Sequence, residues 1–94
     1  MNKYENIKNM VMKLNSLEKH VYLNLKNEVD YIINNDVRDI YYIEEVLDRL
    51  LSLSTIDFGT DFYRLCDYYK YIRKDNALEY IKMYKNYKEE EDDE

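Results

Sequence analysis

His20 and Cys66 are the only imidazole and the only thiol in the 94 residues, so any nucleophilic or metal chemistry has to begin from them. His20 lies between Lys19 and Val21 on a helix flank, with no serine, cysteine or acid placed to form a catalytic pair. Cys66 follows Leu65 on the expected core face and precedes an acid, Asp67, which is the reverse of the electropositive setting that activates a thiolate. One cysteine builds no disulfide, and one cysteine with one histidine does not complete a structural zinc site. The carboxylate pairs Glu44–Glu45 and Glu45–Asp48 fall on the open face of one helix, whereas acid–base work needs carboxylates in a cleft that drives their pKa values apart. Gly59 is the only glycine, which excludes glycine-rich phosphate loops, and no stretch alternates acids around it as a calcium loop does. The residues point to no enzyme and to no cofactor or metal.

The side chains that remain to be explained are tyrosines beside acids. The chain has twelve Tyr and no Trp. On one helix Tyr42, Glu45 and Arg49 share an outward face, with Asp48 beside them; on the next, Tyr63, Asp67 and Tyr71 step at i, i+4 and i+8. Tyrosine is enriched at protein interfaces because it offers a large contact area at a small entropy cost. Charge is unevenly distributed along the same chain. Residues 1–26 carry a net +3, residues 27–67 a net −7 and residues 68–88 a net +4, while residues 89–94 are all acidic and account for the whole net charge of −6. An acidic, tyrosine-bearing surface suits a protein partner with a basic surface, such as the groove in which a nucleic-acid-guided nuclease complex holds its nucleic acid. The candidate contact residues are Tyr42, Glu45, Asp48, Tyr63, Asp67 and Tyr71.

Helices must hold these residues in place. Tyr4, Ile7, Val11, Leu14, Leu17, Val21, Leu25, Val29 and Ile32 recur every three or four residues, which draws one stripe on a helical face. Asn15 and Glu18 have capping-box spacing and favour a break near residue 15, although one helix or two is open on the pattern alone. Asn34, Asn35 and Asp36 form a turn, and a central helix over 37–53 follows, led by Asp36 and Asp39. Residues 54–60 interrupt the pattern, and Thr60 is the expected N-cap of a helix over 61–74 that buries Phe62, Leu65, Cys66, Tyr69 and Ile72. Asn76 with Glu79 repeats the capping-box spacing and starts a last helix over 77–88, with Leu78, Ile81, Tyr84 and Tyr80 turned inward. Short polar turns make neighbouring helices antiparallel. The expected fold is all-α: a small single-domain antiparallel bundle of four or five helices over residues 1–88, followed by a disordered acidic tail over 89–94.

A competing surface lies at the C-terminal end. Tyr68, Tyr69, Lys70 and Tyr71, then Tyr80, Lys82, Tyr84 and Lys85, interleave rings with cations as single-strand binders do. The body is neutral and the tail competes for the same lysines, so direct nucleic-acid binding ranks below protein binding. A further alternative is a module that pairs with itself as a homodimer or with a cognate helical protein, in the manner of antitoxins and immunity proteins. No membrane span is expected, and the first ten residues, charged at Lys3, Glu5 and Lys8, do not read as a secretory leader. The unpaired cysteine fits a reducing compartment, the cytoplasm of a bacterial host cell.

Ile, Asn, Lys and Tyr make up 40 of the 94 residues, the mark of an AT-rich gene. The stretch Leu65-Cys66-Asp67-Tyr68-Tyr69-Lys70-Tyr71-Ile72, followed by Ala77-Leu78-Glu79-Tyr80-Ile81-Lys82-Met83-Tyr84-Lys85, resembles short uncharacterised phage and mobile-element proteins of low-GC bacteria. That class includes anti-CRISPR proteins, which bind and inhibit nucleic-acid-guided nucleases. The resemblance covers about a third of the chain and assigns no residue. It implies only that this class belongs among the candidates; the acidic middle segment, the acidic tail and the outward tyrosines make a non-enzymatic inhibitor the leading expectation.

Overall fold

Proline is absent and glycine occurs once, so nothing in the sequence forbids long helices. The computed structural model describes the backbone of residues 3–54 and 56–92 and the side chains of residues 16–54 and 56–88. Among the described residues there are four helices and no strand: α1 (Lys3–Asn34), α2 (Ile40–Leu51), α3 (Gly59–Tyr69) and α4 (Lys74–Asp92). The chain is an all-α bundle, with its apolar centre drawn from all four helices.

α1 runs unbroken through Asn15 and Ser16, where a break was the favoured expectation. Neither residue blocks a helix; each costs only about 0.5 kcal/mol against alanine. The carboxylate of Glu18 does not turn back to cap a new helix. It accepts hydrogen bonds from the Ser54 backbone N–H at 2.7 Å and the Ser54 hydroxyl at 2.9 Å, which ties the middle of α1 to the loop after α2. α1 ends where Asp36 takes a positive φ of 51°. The Val37 N–H reaches back to the Ile32 carbonyl and the Asp36 N–H to Ile33, the paired bonds of a Schellman turn. An aspartate fills the place where glycine is usual, as short polar side chains can.

α2 starts three residues later than expected because Asp39, not Asp36, is its cap: the Asp39 carboxylate accepts from the N–H groups of Tyr41 and Tyr42. α3 begins at Gly59, before the expected cap Thr60. Phe58 holds the cap position without a side-chain bond, and Asp57 Oδ1 accepts from the Gly59 N–H at 3.0 Å. α3 stops at Tyr69, five residues earlier than the pattern implied. A tight turn takes over, in which both the Ile72 and Arg73 N–H groups bond the Tyr69 carbonyl. α4 then starts at Lys74 rather than Ala77. Asn76 is not its cap; the Asn76 amide donates to Glu44 on α2 at 3.0 Å.

The partners along the chain give the directions. Tyr42 of α2 meets Glu28 of α1, and Ser54 beyond α2 meets Glu18, so α2 runs against α1. Tyr22 meets Asp61 and Asp30 meets Arg64, so α3 runs with α1 and against α2. Asn76 meets Glu44 and Tyr80 meets Asp48, so α4 runs with α2. The core comprises Leu25, Val29 and Ile32; Ile43, Val46, Leu47 and Leu50; Phe62, Leu65, Cys66 and Tyr69; and Ala77, Tyr80 and Tyr84. Leu78, expected inside, is 45% exposed, because the register of α4 is set by Ala77, Tyr80 and Tyr84. The acidic block expected as a tail begins within α4, whose backbone extends to Asp92; residues 93 and 94 lie outside the described residues.

Gly59 is required by a close approach, not by its φ. A Cβ there would stand 2.5 Å from the Tyr84 hydroxyl and 3.2 Å from Asp57 Oδ1. Tyr84 cannot easily retreat, since its ring stacks on Phe62 at 5.1 Å and meets Phe58 and Tyr63 edge-on. Gly59→Ala should cost roughly 1–3 kcal/mol, the usual penalty of overpacking. Tyr84→Phe removes the offending oxygen, so the double variant should recover part of the loss in a denaturant titration. Additive losses would show that the clash is not the cause.

Candidate functional site

The tyrosines and acids that drew attention in the sequence are joined to each other, across helices. The Tyr22 hydroxyl donates to Asp61, Tyr42 to Glu28 at 3.3 Å, Tyr68 to Asp36 at 3.1 Å, Tyr69 to Glu44 at 2.6 Å and Tyr80 to Asp48 at 2.9 Å. In each pair a phenol bridges two elements while its ring packs against the bundle, as the amphipathic shape of tyrosine allows. Of the five acceptors only Asp61 is buried; Glu28 and Glu44 are half-buried at the rim of the core, and Asp36 and Asp48 are exposed. This arrangement raises the pKa of the phenols, because burial and a neighbouring carboxylate both oppose phenolate. Tyr22 is pushed up to about 12, chiefly by its bond to Asp61. Tyr69 is pushed up to about 12, chiefly by burial and then by Glu44. Tyr80, Tyr42 and Tyr68 are raised by burial first and then by Asp48, Glu28 and Asp36.

Every acid between residues 27 and 67 has a partner within the chain. Besides the five above, Asp30 pairs with Arg64, Asp39 caps α2, Glu45 pairs with Arg49, Asp57 accepts from Gly59, and Asp67 pairs with Lys70. The three arginines of this segment are equally committed: Arg38 to Asp36, Arg49 to Glu45, and Arg64 to Asp30 and Asp61. A hydroxyl or backbone N–H is a neutral donor. It fixes a carboxylate in position without cancelling its charge, so the acidic excess of the segment persists as a pinned array.

The six candidate contact residues do not share one surface. Tyr42 is half-buried against α1. Glu45 is exposed on the outer side of α2 in its pair with Arg49. Asp48 leans toward α4, held by Tyr80. Tyr63, expected outside, is half-buried in the aromatic cluster, 5.3 Å from the Tyr84 ring. Asp67 is exposed on the opposite flank of α1, beside Lys70. Tyr71 is 87% exposed but lies in the turn after α3, outside the helical register that linked it to Tyr63 and Asp67. It joins Ile33, Arg64, Asp67, Tyr68 and Lys70 around a shallow basin between α1 and α3.

Two faces result. The α1–α2 face carries Glu28, Tyr42, Glu45 and two rings that the sequence reading passed over, Tyr41 at 89% exposure and Tyr31 at 55%. Tyr41 was legible as the residue directly after an apolar start of helix, pointing away from Ile43. The α1–α3 basin is nearly balanced, since Arg64 and Lys70 answer Asp30, Asp61 and Asp67. On the α1–α2 face Glu45 is answered by Arg49, whereas Glu28 is held by the neutral Tyr42 hydroxyl.

His20 is exposed. Cys66 is buried, and burial with Asp67 nearby pushes its thiol up to about 12, so it stays protonated and inert at neutral pH. Among the described residues no group of three or more His, Cys, Asp and Glu is arranged to hold a metal ion, and no helix is long and apolar enough to cross a membrane. Compared with protein-family models, with curated proteins and with solved structures, the chain matches none.

Proposed function

We propose that the chain is a non-enzymatic binding protein of phage or mobile-element origin that inhibits a host nucleic-acid-guided defence complex by covering a basic, nucleic-acid-binding surface. The observation that carries this reading is the pinned acidity of the α1–α2 face. Glu28 and Asp39 are each held by neutral donors, so their charge remains while their freedom does not. Exposed Tyr41 lies on the same helix as Glu45, within the same face. Preorganised carboxylates can stand where phosphates would bind and lose little entropy on docking. The resemblance of 65–85 to small phage and mobile-element proteins is consistent with such a role.

The single-strand alternative draws less support. Tyr69, Tyr80 and Tyr84, three of the rings on which bases would stack, are buried in the core.

A competition assay tests the proposal. A guide-loaded nuclease from a low-GC bacterium is given labelled target DNA, and the protein is titrated in. Displacement of the DNA is expected. Tyr41→Ala combined with Glu45→Lys should weaken it at least about tenfold, the scale of an interface hot spot. Asp67→Lys, on the far flank of α1, should leave it unchanged. Asp48 is not a fair test residue, because its loss also strips Tyr80 of an acceptor. Equal displacement by the double variant would exclude the α1–α2 face.

A further inference from the structure

The five acids that accept from tyrosine hydroxyls are not equally well answered. Asp61 also receives Arg64, Glu44 also receives the Asn76 amide, and Asp36 also receives Arg38. Asp48 is exposed to water and takes the Tyr80 hydroxyl at 2.9 Å. Glu28 differs from all four. It is half-buried, its side chain accepts only from Tyr42, at 3.3 Å, and no cation among the described residues pairs with it. That bond is longer than the usual ~2.5–3.0 Å between hydroxyl and oxygen. A carboxylate offers about four lone-pair sites. One long bond from a neutral donor leaves most of them open and the charge uncancelled. A carboxylate withdrawn from water in this state gains from a cation that reaches it.

The surroundings of Glu28 are aromatic. Tyr31 follows at i+3 on α1, so the two side chains share one side of the helix. Tyr42 crosses from α2. Burial, then Glu28, and then Tyr31 push the Tyr42 phenol up, which places the three groups together. Tyr42 is half-buried and forms a wall, while Tyr31 is 55% exposed and leaves its ring open to an incoming group. Arg49, seven residues beyond Tyr42 on α2, is held by Glu45 at 2.7 Å. A carboxylate beside an open ring suits a cation with a flat face. A guanidinium can fork onto the carboxylate and stack its plane on the ring. An ammonium is a compact point charge, more strongly hydrated, and gains less from the same pair.

We infer that Glu28, Tyr31 and Tyr42 form a receptor for an arginine side chain of the partner protein. This rests on the reading of the α1–α2 face as the contact surface, and it names the group which that face receives. Arginine is the residue that surfaces built for nucleic acid present, because its fork matches phosphate oxygens as it matches carboxylate oxygens. Glu28 stands in the place of the phosphate, and Tyr31 supplies the stacking that a base otherwise offers.

The test is a titration of the full chain with hexa-arginine and, separately, with hexalysine, followed by backbone amide shifts in NMR. Hexa-arginine should shift residues 28, 31 and 42 in a saturable way and bind about threefold or more tighter than hexalysine, the scale of an exposed cation–π contact. Glu28→Gln keeps an acceptor for the Tyr42 hydroxyl, so the bundle is retained, and it should weaken hexa-arginine binding about tenfold. Tyr31→Leu keeps an apolar side chain without the ring and should abolish the preference for arginine over lysine. Shifts confined to residues 89–94 would show the peptide meeting only the acidic run and would overturn the receptor, as would undiminished binding by Glu28→Gln. Equal binding of the two peptides would overturn the selection of arginine. The nuclease competition separates this inference from the inhibitor reading. Displacement of DNA that Tyr41→Ala with Glu45→Lys weakens, but that Glu28→Gln and Tyr31→Leu leave unchanged, would overturn the receptor and keep the inhibitor. Hexa-arginine held at Glu28 by a chain that displaces no DNA would keep the receptor and overturn the inhibitor.

Discussion

Between pH 10 and about 12 the protein should lose its fold, and tyrosine ionisation should drive the loss. In an unfolded chain a tyrosine titrates near 10. In the folded chain Tyr22 and Tyr69 are each pushed up to about 12, and Tyr80 is raised further still. Over that interval the unfolded state has released protons that the folded state still holds. Stability therefore falls as pH rises, is fully present below pH 10, and stops changing once the folded-state groups have titrated. Each unit of separation corresponds to about 1.4 kcal/mol, so Tyr22 and Tyr69 together withdraw about 5 kcal/mol by the top of the window. That equals the whole stability of many domains of this size, which starts at roughly 5 kcal/mol. Tyrosinate absorbance and helical circular dichroism, followed together against pH, check the prediction. Part of the absorbance rise should coincide with the loss of helix. If all twelve phenols titrated as free tyrosine while the helices stayed intact, the phenol–carboxylate bonds would not exist in solution. Tyr69→Phe should shift the transition to higher pH relative to its own neutral-pH stability, because one coupled proton is gone.

This bond pattern also explains how far the sequence could be read. Period-three-and-four spacing of leucine, isoleucine and valine depends on backbone geometry alone. It located the helices and most of the core, including Leu25, Val29, Ile32, Phe62 and Leu65. Helix ends depend on which of several short polar residues wins a local hydrogen bond. Asp36 and Asp39 both offered a cap; Asp39 took it, and Asp36 went to the turn and to Tyr68. Asn76 and Glu18 looked like capping residues and were drawn away by Glu44 and Ser54, more than thirty residues distant in the chain. The outward placement expected for Tyr63 and Tyr42 was corrected for the same reason. A tyrosine such as Tyr63 or Tyr42 looks outward on a helical wheel, but a long side chain at the edge of the apolar stripe can fold its ring inward, as Tyr63 does against Tyr84, or set its hydroxyl on a neighbouring helix, as Tyr42 does on Glu28. Only a residue nearly opposite the core, such as Tyr41, stays outside by geometry alone.

Removing Arg64, a half-exposed residue, should damage the fold more than removing Asp61, the only buried charged residue among those described. Asp61 is 3% exposed and accepts from the Tyr22 hydroxyl and from Arg64 Nη1 at 3.0 Å, while Arg64 Nη2 reaches Asp30 at 2.8 Å. These four residues join α1 to α3 at two levels. Asp61→Ala leaves Arg64 with Asp30 and with water, since its side chain is 41% exposed, and leaves only the Tyr22 hydroxyl without its acceptor. The cost is that of an unmet half-buried donor and the lost bonds, about 2–3 kcal/mol. Arg64→Ala instead strands a buried carboxylate with a single neutral donor, the situation in which breaking a buried pair costs about 3–5 kcal/mol. Tyr22→Phe keeps the ion pair and should cost about 1 kcal/mol. The effects should not add: Tyr22→Phe with Asp61→Ala should fall short of the sum of the two, because both remove the same bond. Denaturant midpoints at constant slope give the ordering Arg64→Ala, then Asp61→Ala, then Tyr22→Phe. Losses within about 0.5 kcal/mol for all three, the range of ordinary surface substitutions, would mean that this junction does not hold α3 to α1.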